Sequence, residues 1–206
     1  MRFIDPGQLV RSFTRKYEEE ASVALTAIDC VLNGEKAVYA SSELTTGRRM
    51  QKVLREIGAT HSEGLRRRLG AERYRTSIWD PNVEQAMSFA RDLHHRLGGN
   101  QLVVSPAPFA TPDWTQQEYL SFWETLLRTR IKAVYFNAGW EFSSGCSFEY
   151  LVSFDAGLPT YDASGAPLPV ETAVGLIERA IGVLRNEGLD ADSLVDKLTR
   201  LSSLAS

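Results

Sequence analysis

Short β-prone runs alternate with longer stretches of helical period along this chain, and that alternation limits the folds open to it. "KAVYASS" (36–42), "QLVVSP" (101–106), "KAVYFNAG" (132–139) and "LPTYD" (158–162) read as strands. Between them, a helix is predicted from about Arg48 to Leu69, carrying Met50, Val53, Leu54, Ile57 and Leu65, with Gly58 as the place where it breaks. "ERYRTSIWDPN" reads as a connection, and Asp80-Pro81 opens a helix to about Leu97. "TQQEYLSFWETLLRTR" is a helix capped by Thr115, "SSGCSFE" starts another at Ser143 or Ser144, and Val170 to Asn186 forms a further one. Strand followed by helix, repeated, calls for a parallel sheet joined by right-handed crossovers. The expected fold is therefore α/β, a single Rossmann-like (flavodoxin-like) domain with a parallel sheet of about four or five strands flanked by helices.

Residues 6–32 carry Leu9, Phe13, Tyr17, Ala21, Ala24, Leu25 and Ile28 near the helical period, after the start signal Asp5-Pro6 and before the stop signal Asn33-Gly34. One or two amphipathic helices are expected there, packed on the core or on a partner chain. The resulting division is an N-terminal helical extension (1–34), an α/β domain (35–190) and a C-terminal helical tail (191–206).

Composition narrows the class. The chain has 206 residues, 43% apolar and 24% charged, with a net charge of -3. That length supports one sizeable core. The acidic balance argues against nucleic acid as a partner. No apolar run reaches the ~18–20 residues that a membrane helix needs. Cys30 and Cys146 do not make a disulfide framework, and with no recognisable secretory leader a reducing cytoplasm is expected. His94 and His95 are adjacent on a helix and diverge, and His61 stands alone, so no metal is expected; no phosphate-binding glycine motif calls for a cofactor either.

In parallel sheets ligands bind beyond the carboxyl ends of the strands. Here those ends are "ASSELTTG", "SPAPFATP" and "NAGWEFSSG". The third runs into a helix bearing one glutamate, Glu149, among Phe148, Leu151, Val152 and Phe154. Helical side chains point back toward the N-terminus, so Glu149 is expected beneath the strand-end crevice. A partly desolvated carboxylate there can act as a nucleophile or as a general acid/base. A glutamate early in a helix is also favoured by the helix dipole alone.

"GWEFSSGCSFEYLVSFDAGLPTYD" (139–162) resembles the nucleoside 2-deoxyribosyltransferase-like superfamily, and within it the DUF4406 branch. The pattern there is roughly G-W-x-x-S-x-G-x-x-x-E, followed by an A-x-x-x-G-x-P-like helix end and strand. Gly139, Trp140, Ser143, Gly145, Glu149, Gly157 and Pro159 stand at those places. "AVYASSELTTGRR" looks like the family's opening strand, with Ser41-Ser42 where Gly-Pro is usual, and "VVSPAPF" looks like its second strand. The resemblance covers about residues 36–162. It implies attack at the anomeric carbon of a nucleoside or nucleotide, hence hydrolysis or transfer at an N-glycosidic bond. In that picture Glu149 is the nucleophile and Tyr39 holds it by a hydrogen bond. Ser143, Ser144 and Gly145 cradle a phosphate or the sugar hydroxyls. Ser41, Ser42 and Gly139 contribute to the substrate site, and Trp140 lines the base or sugar pocket. A homo-oligomer is also implied, with the N-terminal helix as its contact.

One departure stands out. Lys132 occupies the place just before the third strand where family members often carry an acid; Asp113, Glu141 and Asp162 are the candidate replacements. Other classes stay open: a non-catalytic nucleotide-binding or interaction module, NAD glycohydrolase-like activity, and a structural assembly protein. Tyr39 and Trp140 also read as core aromatics, and Cys146 as a buried filler. Arg48 and Arg49 read as phosphate ligands or as a solvated pair. The basic run with Arg66, Arg67, Arg68, Arg73 and Arg75 reads better as a solvated helix end than as a polyanion site.

Overall fold

The computed structural model describes residues 6–109 and 114–205, with side chains from Lys16 onward. Four strands, β1 (Ala37–Ser41), β2 (Val103–Val104), β3 (Ile131–Phe136) and β4 (Thr160–Tyr161), form an all-parallel sheet in the order β2-β1-β3-β4. The order reverses at β1, between β2 on one side and β3 on the other. Ligand crevices open at such switch points in doubly wound sheets. The fold is Rossmann-like α/β, as expected, though the second and fourth strands are shorter than their sequence runs.

The helices are α1 (Pro6–Leu32), α2 (Arg48–Glu56), α3 (Leu65–Leu69), α4 (Ala71–Tyr74), α5 (Asp80–Arg96), α6 (Gln116–Arg130), α7 (Ser144–Asp155), α8 (Val170–Asn186) and α9 (Asp192–Leu204). Gly58, at φ 64°, ends the α2 segment, and the chain resumes helix only at Leu65. Residues 6–32 form a single helix, within the expected one or two. One sequence reading changes. The supposed connection "ERYRTSIWDPN" is helical: α4 passes through a π-helical turn, Arg75–Trp79, directly into α5.

β1 is the central strand and is buried along its whole length. Side chains alternate between its faces. Val38 and Ala40 pack on Phe89, Ala90 and Leu93 of α5, while Ala37 and Tyr39 join the larger core formed with α6, α7, α8 and α9. The first and last helices both reach that larger core, through Ala21 and Leu32 of α1 and Leu194 and Leu201 of α9. Val23 and Val31 of α1 are 69% and 67% exposed. No helix among the described residues is long and apolar enough to cross a membrane.

α6 begins with a full capping box. The Glu118 N–H donates to Thr115 Oγ1 at 3.3 Å, and the Thr115 N–H donates to Glu118 Oε2 at 2.6 Å. This fixes where the chain turns down onto the core after the loop that follows β2. Thr115→Ala removes one of the two bonds. It is expected to cost about 1 kcal/mol and to lower the melting temperature by roughly 2–4 °C in thermal unfolding.

Candidate active site

Tyr39 and Ser41 are two residues apart on β1, so their side chains leave the same face of the sheet. α7 crosses that face and brings Glu149 onto both. The Tyr39 hydroxyl donates to Glu149 Oε1 at 2.7 Å, and the Ser41 hydroxyl donates to Oε2 at 2.5 Å. Tyr39 and Ser41 are fully buried and Glu149 is 7% exposed.

Burial raises the Glu149 carboxyl to about 7, against the pull of the two hydroxyl donors, which favour the ionised form. The Tyr39 hydroxyl is pushed well above its ordinary value, first by burial and then by the neighbouring carboxylate. Tyr39 therefore stays a donor. Cys146, one turn before Glu149, is raised in the same way and remains a thiol.

Ser143 is the N-cap of α7. Its hydroxyl accepts from the Cys146 N–H at 3.3 Å and lies 2.9 Å from Thr46 Oγ1. α7 is packed on every side, since Cys146 through Ser153 are all buried. Its start opens into a cleft of about 660 Å³. The floor carries Glu149, Ser42, Ser143 and Gly145. One wall is aromatic, with Phe109, Trp114, Tyr119 and Trp123 on or just before α6. The other runs from α3 through the π turn, with Arg66, Glu72, Tyr74, Arg75 and Trp79. Ser42 lines the cleft but is only 5% exposed, and its Oγ is buried with no hydrogen-bond partner.

Several residues named from sequence lie elsewhere. Trp140 is buried and stacks on Tyr150 at 5.2 Å and against Phe136 at 4.9 Å, so it packs the core and does not line the cleft. Gly139, at φ 91°, packs closely under two side chains: a Cβ there would sit 3.0 Å from Arg48 Nε and 3.1 Å from Glu43 Oε1. Ser144 faces a separate hollow of about 70 Å³ lined by Phe142, Leu184 and Leu194. Arg48 pairs with Glu141 at 3.2 Å and lies over the Phe142 ring, and Arg49 reaches Gln85, so neither arginine lines the cleft.

The candidate acids separate in the same way. Lys132 is exposed at the start of β3, the opposite end of the strand from the cleft. Glu141 is tied to Arg48, and Asp162 holds its own turn through Ser164 and Ala166. Asp113 lies outside the described residues. No group of three His, Cys, Asp or Glu side chains among the described residues is placed to hold a metal.

Two features escaped the sequence reading. Glu43 folds under its own loop, where its Oε2 accepts from the Arg48 N–H at 3.1 Å and burial raises its carboxyl to about 7. It serves the start of α2, whose N-cap, Gly47, has no side chain to do so. A glutamate shortly before an uncapped helix start was the available signal. The second is the helical geometry of the segment read as a connection, which sets Glu72, Tyr74, Arg75 and Trp79 on the cleft; Arg66 and Arg75, read as part of a solvated helix end, both line it.

Comparison with family models, with curated proteins and with solved structures gave no match.

A carboxyl whose pKa is raised on folding binds its proton more tightly in the native than in the unfolded protein. Native stability therefore falls as pH rises from about 4.5 to about 7 and is level above that range. For Glu149 the difference corresponds to about 3 kcal/mol at most. Glu149→Gln keeps a similar shape and removes the titration. Urea unfolding at pH 5 and pH 8 is expected to show a smaller loss of stability at pH 8 in the variant than in the parent. Parallel losses in the two proteins would show that Glu149 is not desolvated in this way.

Proposed function

We propose that this protein cleaves, or transfers across, the N-glycosidic bond of a nucleotide or nucleoside, with Glu149 as the nucleophile. The observation that carries this reading is the buried carboxylate held on both oxygens by Tyr39 and Ser41 at the floor of an aromatic cleft. The resemblance of residues 36–162 to the nucleoside 2-deoxyribosyltransferase-like superfamily points the same way.

In the first step a Glu149 oxygen attacks the anomeric carbon. The carbon–nitrogen bond breaks, its electron pair goes to the base nitrogen, and the departing base takes a proton from water at the open rim. A glycosyl ester remains on Glu149. In the second step water, or the N–H of an acceptor base, attacks the same carbon and gives its proton to the hydroxide left by the first step, while the ester bond breaks and the carboxylate is restored. With water, the sum is substrate plus water giving free base plus sugar.

Each neighbour has a task in this scheme. Tyr39 and Ser41 orient the carboxylate and favour its ionised form. The Ser143–Thr46 hydroxyl pair and the start of α7 at Gly145 can take sugar hydroxyls or a 5′-phosphate. Half-buried Trp79 can take a base on the cleft wall, and the more deeply buried Trp114 and Trp123 back the aromatic wall opposite. The two departures from the family pattern do not oppose this reading. Ser41 stands where glycine is usual and binds the nucleophile, and Lys132 is remote from the cleft. No observation favours a purely non-catalytic module over an enzyme.

The test is chromatographic detection of free base from a panel of nucleosides, nucleotides and NAD. Release by the wild type is expected to fall at least about a thousandfold in Glu149→Gln, since the nucleophile is lost. Release at an equal rate in the variant, or none from folded wild type on any member, would refute the proposal.

The pH profile gives a second check. kcat/KM is expected to rise with pH through about 7 as Glu149 ionises. Tyr39→Phe removes a hydrogen bond that favours the ionised form, so the rise should move to higher pH. A profile that stays in place would argue that Tyr39 only packs.

A further inference from the structure

The cleft carries cations that the glycosidic chemistry does not use. Arg66, on α3, and Arg75, at the start of the π turn, both line it, and both are exposed, whereas Glu149 on the floor is not. The charges are thus arranged in depth, with a carboxylate below and guanidinium groups at the rim.

Local structure accounts for the two arginines meeting at one cleft. Gly64 and Gly70, at φ 68° and 79°, flank α3 and turn the chain sharply on either side of it. Leu65 buries itself, which fixes the short helix on the core. The helix from Ala71 to Arg96 then changes register at Arg75–Trp79, where each turn takes in an extra residue. Downstream, Asn82, Ala86, Phe89, Ala90 and Leu93 face inward. Upstream, Ala71, Glu72, Arg75 and Trp79 face the cleft. One helix thereby serves both the sheet and the cleft.

Glu72 is the carboxylate on this wall. Arg75 Nε meets Asp80 at 3.5 Å, with side chains 65% and 51% exposed respectively. A pair so exposed contributes little, and an incoming anion can compete with it. Tyr74 and Trp79 lie on the same wall, half-buried. Flat rings beside guanidinium groups suit a nucleotide, with the rings for bases and the guanidiniums for phosphate oxygens.

The floor already provides for one phosphate, at Ser143, Thr46 and Gly145. A cleft of about 660 Å³ leaves room beyond it. Resting on the glycosidic reading above, we propose that Arg66 and Arg75 form a second anion subsite at the rim. The substrate is then a nucleoside carrying at least two linked phosphates, whose outer phosphate lies between the two guanidiniums. Nucleoside diphosphates and dinucleotides share that chemistry.

Calorimetric titration tests the subsite without needing turnover. Glu149→Gln protein, which keeps the rim, is titrated with adenosine, its mono-, di- and triphosphate, ADP-ribose and NAD. Binding is expected to tighten by roughly tenfold from monophosphate to diphosphate, the scale of one added charge-assisted contact. Adding Arg66→Gln and Arg75→Gln should bring the diphosphate-to-monophosphate ratio close to one. Adding Arg67→Gln, on the same short helix but not on the cleft, should leave the ratio in place. Equal affinity for mono- and diphosphate, or a ratio that survives loss of both arginines, would overturn the subsite. Tighter binding of ADP-ribose or NAD than of the diphosphate identifies the substrate as a dinucleotide or its fragment and supports the subsite. Base release by the wild type is scored separately: Glu149-dependent release with a flat phosphate series refutes the rim subsite and leaves the glycosidic reading standing. Graded, arginine-dependent binding without release does the reverse.

Discussion

Glu149 sits 7% exposed among apolar groups, where an isolated carboxylate is costly to keep charged. Two hydroxyl donors answer that cost, and both come from one strand. The arrangement therefore depends on register at three places. β1 must present Tyr39 and Ser41, and not Val38 and Ala40, to the α7 face; a slip of one residue would replace both donors with apolar side chains. β1 and β3 must align so that Ser41 meets Phe136 at the sheet's end, as they do. α7 must start at Ser143, because its cap sets how far along the helix Glu149 falls. The packing of α7 on all sides holds these together, since a helix buried from Cys146 through Ser153 has little freedom to rotate.

Much of this was legible from the residues. The strands show as short β-branched and aromatic runs, the helices as periodic segments, and Thr115 and the Ser143-Ser144 pair as caps, of which the structure uses Ser143. Glu149 was visible because one acid stands in an apolar helical run next to a strand end. Tyr39 follows once the strand is placed, while Ser41, expected to touch the substrate, is instead turned by the strand's period of two onto the same carboxylate. Local signals suffice where one element's pattern decides the outcome.

The rest depends on how separated segments meet. Trp140 has the composition of a pocket wall, but Tyr150 and Phe136 give it a better-packed site in the core. Arg48 looks like a free cation at a helix start until Glu141, 93 residues later, is brought beside it. The π turn has no propensity signature that separates "RYRTSIW" from an irregular connection, so the wall built on it was missed. Lys132 is the converse case. Its position relative to the motif looked significant in the sequence, yet a strand of six residues puts its start far from the end where the cleft lies.

The N-terminal helix shows why the division into extension and domain is physically incomplete. Tyr17 of α1 meets the Trp114 ring edge-on at 5.0 Å, and its hydroxyl donates to the Glu118 carbonyl at 3.1 Å. Glu20 accepts from Trp114 Nε1 at 2.8 Å. Trp114 in turn packs on Phe109, Tyr119 and Phe122, and Trp123 carries the contact through to Tyr39, at 5.9 Å between ring centroids. A buried tryptophan needs a partner for its N–H, and here the partner comes from α1. The helix that looks appended in the sequence therefore sets the orientation of one cleft wall. Through the aromatic chain it is mechanically continuous with the hydroxyl that holds Glu149. Any partner or second copy that engages the exposed face of α1, where Val23 and Val31 lie, would act on a structural element of the cleft itself.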